Sequence, residues 1–530
     1  MKKRDRIWSW IQLLWRIRAM GKIFYRSALI ITICLNSACS IFSPSSKFPL
    51  VVETVAGKIE GKEGEISHYF KGIPYAEPPL GNLRWKPPSD KIPWQGLLKA
   101  DSFSKACPQV QPIYIQEKIE WDEDCLCLNI YRPKENKRNL PVMVFIHGGA
   151  FMDGAASLST LDGEWLAQNK EVVLVTINYR LAQFGFLYIP EADIVGNYGI
   201  RDQIKALEWI NDNITAFGGD PDNITVFGES AGGGSVGLLL GLRPELFHKA
   251  IIQSSYIPFN PETMAPDTIS EIGQRFVREI GCADAQDLAS CLRSKSAEDV
   301  LAAGSITFKI GSRKHYGPLL DGEFITAAPL SLIKNGKGAN TPLIMGVNAD
   351  EGAFFAFTLG IKTEKDYENW VHNTYPDLAN PILSAYSPSQ YERPDQAAAA
   401  VLGDAMFACS TRKALKNFSE VNKNLYHYYF TYPPEATRKL GVGAFHGAEL
   451  SYIFHTFKEE LKEAEQVSHN ISELWTSFAY KGIPSCGTTT WQPFTSQHQN
   501  YLVINKELAT GKDLRKEQCD IWDRCDWYLP

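Results

Sequence analysis

The sequence predicts an α/β fold in which helices flank a mostly parallel central sheet. Two observations carry that prediction: short apolar runs recur along the chain, and a helix-period pattern lies between two of them. Continuous apolar runs suit strands covered on both faces, and strands alternating with helices imply a parallel sheet. The runs are Val142–Ile146, Val172–Asn178, Ile224–Gly228, Ala250–Gln253 and Pro342–Gly346. In "DQIKALEWINDNITAFGG", Leu207, Ile210, Ile214 and Phe217 recur at spacings of three and four, so they share one helix face. Gly218-Gly219 supplies the stop.

The 530 residues suffice for a large core, and 44% hydrophobic with 22% charged content is ordinary for a globular chain. No internal repeat or low-complexity tract breaks the body, so residues 51–530 read as one domain. Residues 1–39 read differently. From Met20, Lys22 and Arg26 precede a short apolar stretch, Ala28 to Leu35, and then small residues before Cys39. That is the grammar of an export signal, and the stretch is too short to span a bilayer. The Ser37-Ala38-Cys39 ending resembles a bacterial lipobox, which would lipidate Cys39 and tether the chain to a membrane; the plainer alternative is cleavage near Ala38. Residues 1–19 look surplus, with Met20 as the expected start, and residues 40–50 form a polar tether.

The leader carries eight Lys/Arg against one Asp, so the remainder has a net charge of −13. That argues against nucleic-acid binding, which needs cationic side chains to displace counterions. Nine of the 11 cysteines lie beyond the leader. Export to an oxidising compartment, periplasm or cell envelope or beyond, would make several of them disulfides and leave at least one thiol over. Cys125-Leu-Cys127 lacks a second pair at ligand spacing, so no metal site is expected.

The glycine-rich stretch "TVFGESAGGGSV", Thr225 to Val236, admits three readings. As a P-loop it fails, because Gly234 stands where the phosphate-binding lysine must be. Gly232, Gly234 and Gly237 match a dinucleotide turn, but they start inside the expected helix and no ribose-binding acid follows about 20 residues on. The third reading fits: Gly228-Glu229-Ser230-Ala231-Gly232 is a G-x-S-x-G elbow directly after a strand. Small residues two before and two after Ser230 leave room for a turn that exposes its hydroxyl.

A serine needs a base, an acid to orient the base, and donors for an oxyanion. The elbow order is serine, acid, histidine. His446 in "GAFHGAEL" sits on a glycine-flanked loop, whereas His315, His372, His427, His455, His469 and His498 stand in polar or helix-like surroundings. Asp350 and Glu351 both follow a strand end, and spacing does not choose between them. "VMVFIHGGAFMDG" places His147-Gly148-Gly149-Ala150 after an earlier strand, as an oxyanion loop requires; His147 itself reads as a structural hydrogen bonder.

These pieces, with "FKGIPYAEPPLGNLRW", "EDCLCLNIY", "GNYGIRDQIKALEWI" and "GVNADEGAFF", resemble the type-B carboxylesterase/lipase family, which includes the cholinesterases, within the α/β-hydrolase fold. The likeness runs from about Val51 to the C-terminus. It implies a carboxylic-ester hydrolase that acts on small-molecule esters and needs no cofactor. It selects Glu351 as the acid and His446 as the base for Ser230. The implied oxyanion donors are the N–H groups of Gly149, Ala150 and Ala231. Glu229 matches a buried electrostatic helper, Ser254 a serine supporting the acid, and Arg84 with Glu123 a structural salt bridge. The implied disulfides are Cys107–Cys125, Cys282–Cys291 and Cys409–Cys519; Cys127 stands where tyrosine is common, and Cys486 with Cys525 is a guessed pair. In cholinesterases a tryptophan ten residues before the second cysteine of the first loop binds choline. Ile115 holds that spacing here and Trp121 lies closer to Cys125, so a choline pocket is not expected. Two alternatives share the fold: a binding or adhesion protein that does not use the triad, and the same triad acting on amides or lipids.

Overall fold

The computed structural model describes residues 47–255, 265–306 and 315–524. The expected export signal and Cys39, and Cys525 at the other end, lie outside them. Contacts divide the chain into Met1–Pro49 and Leu50–Pro530, and the sheet and the candidate site both belong to the second unit.

The centre of that unit is a sheet of eleven strands. In chain order they are β1 (Lys62–Glu63), β2 (His68–Pro74), β3 (Cys127–Arg132), β4 (Leu140–Ile146), β5 (Val173–Ile177), β6 (Gly219–Glu229), β7 (Lys249–Gln253), β8 (Leu343–Asn348), β9 (Leu425–Phe430), β10 (Asn500–Ile504) and β11 (Ala509–Lys512). In space they run β1-β2-β3-β5-β4-β6-β7-β8-β9-β10-β11. From β5 to β10 every neighbouring pair is parallel, and the edges are antiparallel. The five expected strands are β4 to β8. The others escaped a search for continuous aliphatic runs: β3 and β9 carry Asn129 and His427 among their apolar residues, and both side chains are buried.

Every residue of β4, β5, β7 and β8 is buried. Alternate side chains, Met143, Phe145, Phe227, Ile251 and Ile344, join a core cluster with Ala464, Val467, Ile471, Leu474, Trp475 and Phe478 of one long helix, Lys462–Lys481. Burying a side chain of this size is worth roughly 1.5–3 kcal/mol. The expected amphipathic helix is Tyr198–Asn213; a 3₁₀ turn over Ile214–Phe217 follows, and Gly218 ends it at a φ of 83°. Asp202 on that helix holds the Arg180 guanidinium by two contacts, Nη2–Oδ1 at 2.6 Å and Nε–Oδ2 at 2.8 Å, and accepts from the Arg180 backbone N–H at 3.1 Å, both side chains buried.

The parallel strands all point their C-terminal ends to one edge. β4 and β6 are in register there, Ile146 beside Gly228, so the segments that leave them emerge side by side. β8 ends at the same edge two strands away. The site is assembled on that edge, as open α/β sheets require.

Candidate active site

Ser230 sits between β6 and the helix Ala231–Leu242, with φ 55° and ψ −123°. Few residues other than glycine adopt that conformation, and it costs on the order of 1–3 kcal/mol. What holds it is contact on both flanks. A Cβ at Gly228 would lie 2.5 Å from the Gly232 carbonyl carbon; one at Gly232 would lie 2.0 Å from Ile146 O. No side chain fits at either position, and both requirements come from backbone next to backbone. A Cβ at Gly233 would meet Ser255 Cβ at 2.7 Å and Gln253 O at 3.0 Å, so the helix lies directly against the end of β7.

The oxyanion loop leaves β4. Gly149, Ala150 and Phe151 all have positive φ, at 104°, 53° and 61°. A Cβ at Gly148 would lie 3.1 Å from Ser230 Cβ, so this loop packs on the elbow itself. Among the described residues, the N–H groups of Gly149, Ala150 and Ala231 donate to no protein acceptor, which leaves them for a ligand oxygen. His147 is the hydrogen bonder expected: it is buried, its Nδ1 lies 2.9 Å from Gly148 O, and its ring stacks on Tyr179. Burial pulls it down to about 4, so it stays neutral.

The expected acid follows β8. Glu351 Oε1 accepts from Asn348 N at 2.6 Å, and Oε2 meets His446 Nδ1 at 2.7 Å. Asp350 turns away, its Oδ2 accepting from Ala444 N at 2.8 Å. The geometry thus separates two neighbours that spacing left equal. His446 is further confined by the rings of Phe407 and Phe355, at 4.6 and 5.4 Å. Phe407 lies on a π-helical turn, Asp404–Ala408, a deformation that recurs at functional sites.

Three buried glutamates surround the imidazole. Besides Glu351 there is Glu229, whose Oε1 is 3.2 Å from His446 Nε2, and Glu449, held by Gln253 Nε2 at 2.9 Å and Asn348 Nδ2 at 2.5 Å. Burial raises Glu229 and Glu449 above the usual carboxylate range; His446 opposes this at Glu229, and Glu351 adds to it at Glu449. Burial works against protonating His446, but Glu229, Glu351 and Glu449 outweigh it and raise the imidazole.

Two expectations differ in detail. His446 Nε2 faces Glu229, and Ser230 Oγ makes no hydrogen bond to it. Ser254 is buried at the end of β7 with φ 45°, yet its hydroxyl makes no hydrogen bond to Glu351. The carboxylate is held by the Asn348 backbone instead. Glu449, Asn348 and Gln253 were not singled out from sequence. The one available signal was the glutamate of "HGAE", a charge in the turn before the short helix Leu450–Ile453 that turns out fully buried.

A family model described as the Carboxylesterase family matches residues 49–522. The chain belongs to the carboxylesterase family. It is 33% identical to a cholinesterase of Mus musculus, over 89% of this chain and 86% of that protein. It is 32% identical to the para-nitrobenzyl esterase of Bacillus subtilis (strain 168), over 88% of this chain and 97% of that one. A solved structure titled PNB esterase superposes with a TM-score of 0.77 at 32% identity, covering 89% of this chain and all of the other. The fold is therefore the α/β-hydrolase fold.

In this carboxylesterase the three disulfides implied by resemblance are formed: Cys107–Cys125, Cys282–Cys291 and Cys409–Cys519. Cys127 and Cys486 are free and buried. The guessed Cys486–Cys525 pair includes a residue outside those described; Cys486 Sγ contacts Asn470 Oδ1 at 3.7 Å and sits inside the core cluster that holds Trp475. Arg84 and Glu123 form the expected buried pair, Nε–Oε1 at 2.6 Å with a second contact from Nη2 to Oε2. At Ile115, where a choline-binding tryptophan would stand, Gln111 holds the carbonyl at 3.0 Å. The ring that reaches the oxyanion loop is its neighbour Tyr114, which hydrogen-bonds Asp153. No helix among the described residues is long and apolar enough to cross a membrane, and no group of three or more His, Cys, Asp or Glu there is placed to hold a metal ion.

Proposed function

We propose that this carboxylesterase hydrolyses small-molecule carboxylic esters through an acyl-enzyme on Ser230. The observation that carries the reading is convergence: a serine strained outward at φ 55°, a Glu351–His446 contact of 2.7 Å, and N–H groups without protein acceptors meet at one sheet edge. His446 Nε2 takes the Ser230 proton as Oγ bonds to the carbonyl carbon. Glu351 fixes the tautomer and stabilises the imidazolium. The N–H groups of Gly149, Ala150 and Ala231 bind the oxyanion. As the tetrahedral adduct collapses, the ester C–O bond breaks and His446 protonates the departing alcohol. Water then repeats the sequence and releases the acid. Catalytic hydrogen bonds are often long before substrate binds, so a serine that engages His446 only in the complex suits this reading. Glu229, buried against the imidazole, holds its ring in the site.

Incubation with a fluorophosphonate probe and profiling of esters by acyl length, with an amide control, test the proposal. Labelling should occur on Ser230 and vanish in Ser230→Ala. An unlabelled, folded wild type would sink it, and preference for the amide would move the substrate class. Three disulfides support export to an oxidising compartment. Lipidation of Cys39 and a membrane tether complete the proposal; mass spectrometry of the mature N-terminus distinguishes them from simple cleavage.

A further inference from the structure

The Cys107–Cys125 loop has no chemistry assigned to it, yet one of its side chains ends on the oxyanion turn and another on Gly154 directly after it. Gln109 is 1% exposed. It donates from Nε2 to Gly154 O at 2.8 Å and accepts at Oε1 from Gly154 N at 2.9 Å. The same amide also donates to Cys107 O at 3.0 Å, which ties the contact to the disulfide. Tyr114 leaves its ring largely exposed but donates its hydroxyl to Asp153 Oδ1.

Asp153 is not a distant anchor. Its N–H and that of Met152 both donate to Gly149 O, at 3.0 and 2.8 Å, so residues 149–153 form one closed turn. A Cβ at Gly149 would lie 2.4 Å from Asp153 Oδ1. The carboxyl that Tyr114 holds is therefore in contact with a residue whose N–H faces the oxyanion position. Among the described residues no lysine or arginine pairs with Asp153; burial raises its carboxyl to about 6, and the hydrogen bond from Tyr114 opposes that rise.

The turn needs such restraint. Three successive residues at positive φ persist only where their surroundings over-determine them. Ala182 N ties the far side through Phe151 O at 2.7 Å. The disulfide loop supplies the rest. We infer that Gln109 and Tyr114 are positioning residues for the oxyanion donors Gly149 and Ala150, which makes the Cys107–Cys125 loop a working part of the site. This rests on the ester-hydrolase reading.

The test is a double-mutant cycle on the exposed half of the clasp, Tyr114→Phe and Asp153→Ala, with Asp153→Asn as the conservative variant. Each is measured for kcat and KM on a small neutral nitrophenyl ester, for inhibition by a trifluoromethyl ketone, and for thermal midpoint. The ketone's adduct carries its oxyanion in the hole. Each single variant should lower kcat by roughly 10- to 100-fold, as small misplacements do, with KM nearly unchanged. Ketone affinity should fall by the same factor, and the double variant should be no worse than either single. Asp153→Asn should restore most of kcat, because its amide oxygen accepts the same hydrogen bond. Unchanged kcat and ketone affinity in Tyr114→Phe, or additive losses, or losses that only follow the thermal midpoint, would overturn the inference alone. A wild type that neither turns over nor is labelled by a fluorophosphonate overturns both readings.

Discussion

The two halves of the site are built by different physics. The serine half is local: Gly228, Ser230 and Gly232 lie within five residues, and the two glycines are required by backbone that would lie against any added side chain, Gly232 itself for one and Ile146 of β4 for the other. The acid–base half is not. Glu351 follows β8, His446 and Glu449 come from a later segment, and Glu229 reaches across from the elbow. Its precision is electrostatic, and it depends on burial that no short stretch of chain can provide. A turn can be specified by which residues are small; a field must be specified by which charges end up together.

If steric fit governs the serine half, substitutions there should act in an all-or-none manner. Gly232→Ala places a Cβ 2.0 Å from Ile146 O, and loss of soluble, cooperative folding in a thermal melt is the expected result. Ser230→Ala, which removes only an oxygen, should fold normally and lose on the order of 10⁶ in kcat. A Gly232→Ala protein with wild-type stability would break the distinction.

The acid–base half should respond by degrees. Glu351→Gln keeps the shape and removes the charge, so a kcat loss of about 10⁴ with an unchanged fold is expected, measured on an activated ester. Its partner groups set the pH dependence. Only neutral His446 can accept the serine proton, and Glu229 and Glu449 stabilise the protonated form. Taking either carboxylate away lowers the imidazole pKa, so the acid limb of the kcat/KM profile moves to lower pH. The shift should be larger for Glu229→Gln than for Glu449→Gln, since Glu229 is the stronger influence. A move to higher pH in either variant would contradict the reading.

The smallest effect on activity is expected from a brace. Cys409 directly follows the π-helical turn that carries Phe407 to His446, and its disulfide to Cys519 spans 110 residues. Chain entropy gives such a closure roughly 5 kcal/mol, against roughly 3 kcal/mol for the Cys282–Cys291 loop. Replacing Cys409 and Cys519 by serine should lower the unfolding midpoint more than replacing the shorter pair. The loss in kcat should stay within about tenfold.

The difference between the halves also explains what could be read in advance. The elbow needed no partner to be recognised, because a strand, a serine and two flanking glycines occupy one window. Asp350 and Glu351 stayed equal until Asn348 N and Ala444 N claimed one carboxylate each. Resemblance to a family resolved that pair earlier, but the residues alone did not. Ser254 was placed beside the acid on the same basis, and its hydroxyl takes no part in holding Glu351. Glu449 was not singled out, since nothing local marks a glutamate that tertiary packing will bury.

By itself the sequence determined the sheet-and-helix order, the five central strands and the position of the serine elbow, because periodicity and steric allowance are properties of short windows. Tertiary structure alone decided how Asp350 is turned away from His446, how three buried glutamates share its field, and how Tyr114 comes to Asp153. Those outcomes depend on distances between segments far apart in the chain, and only the closed fold sets those distances.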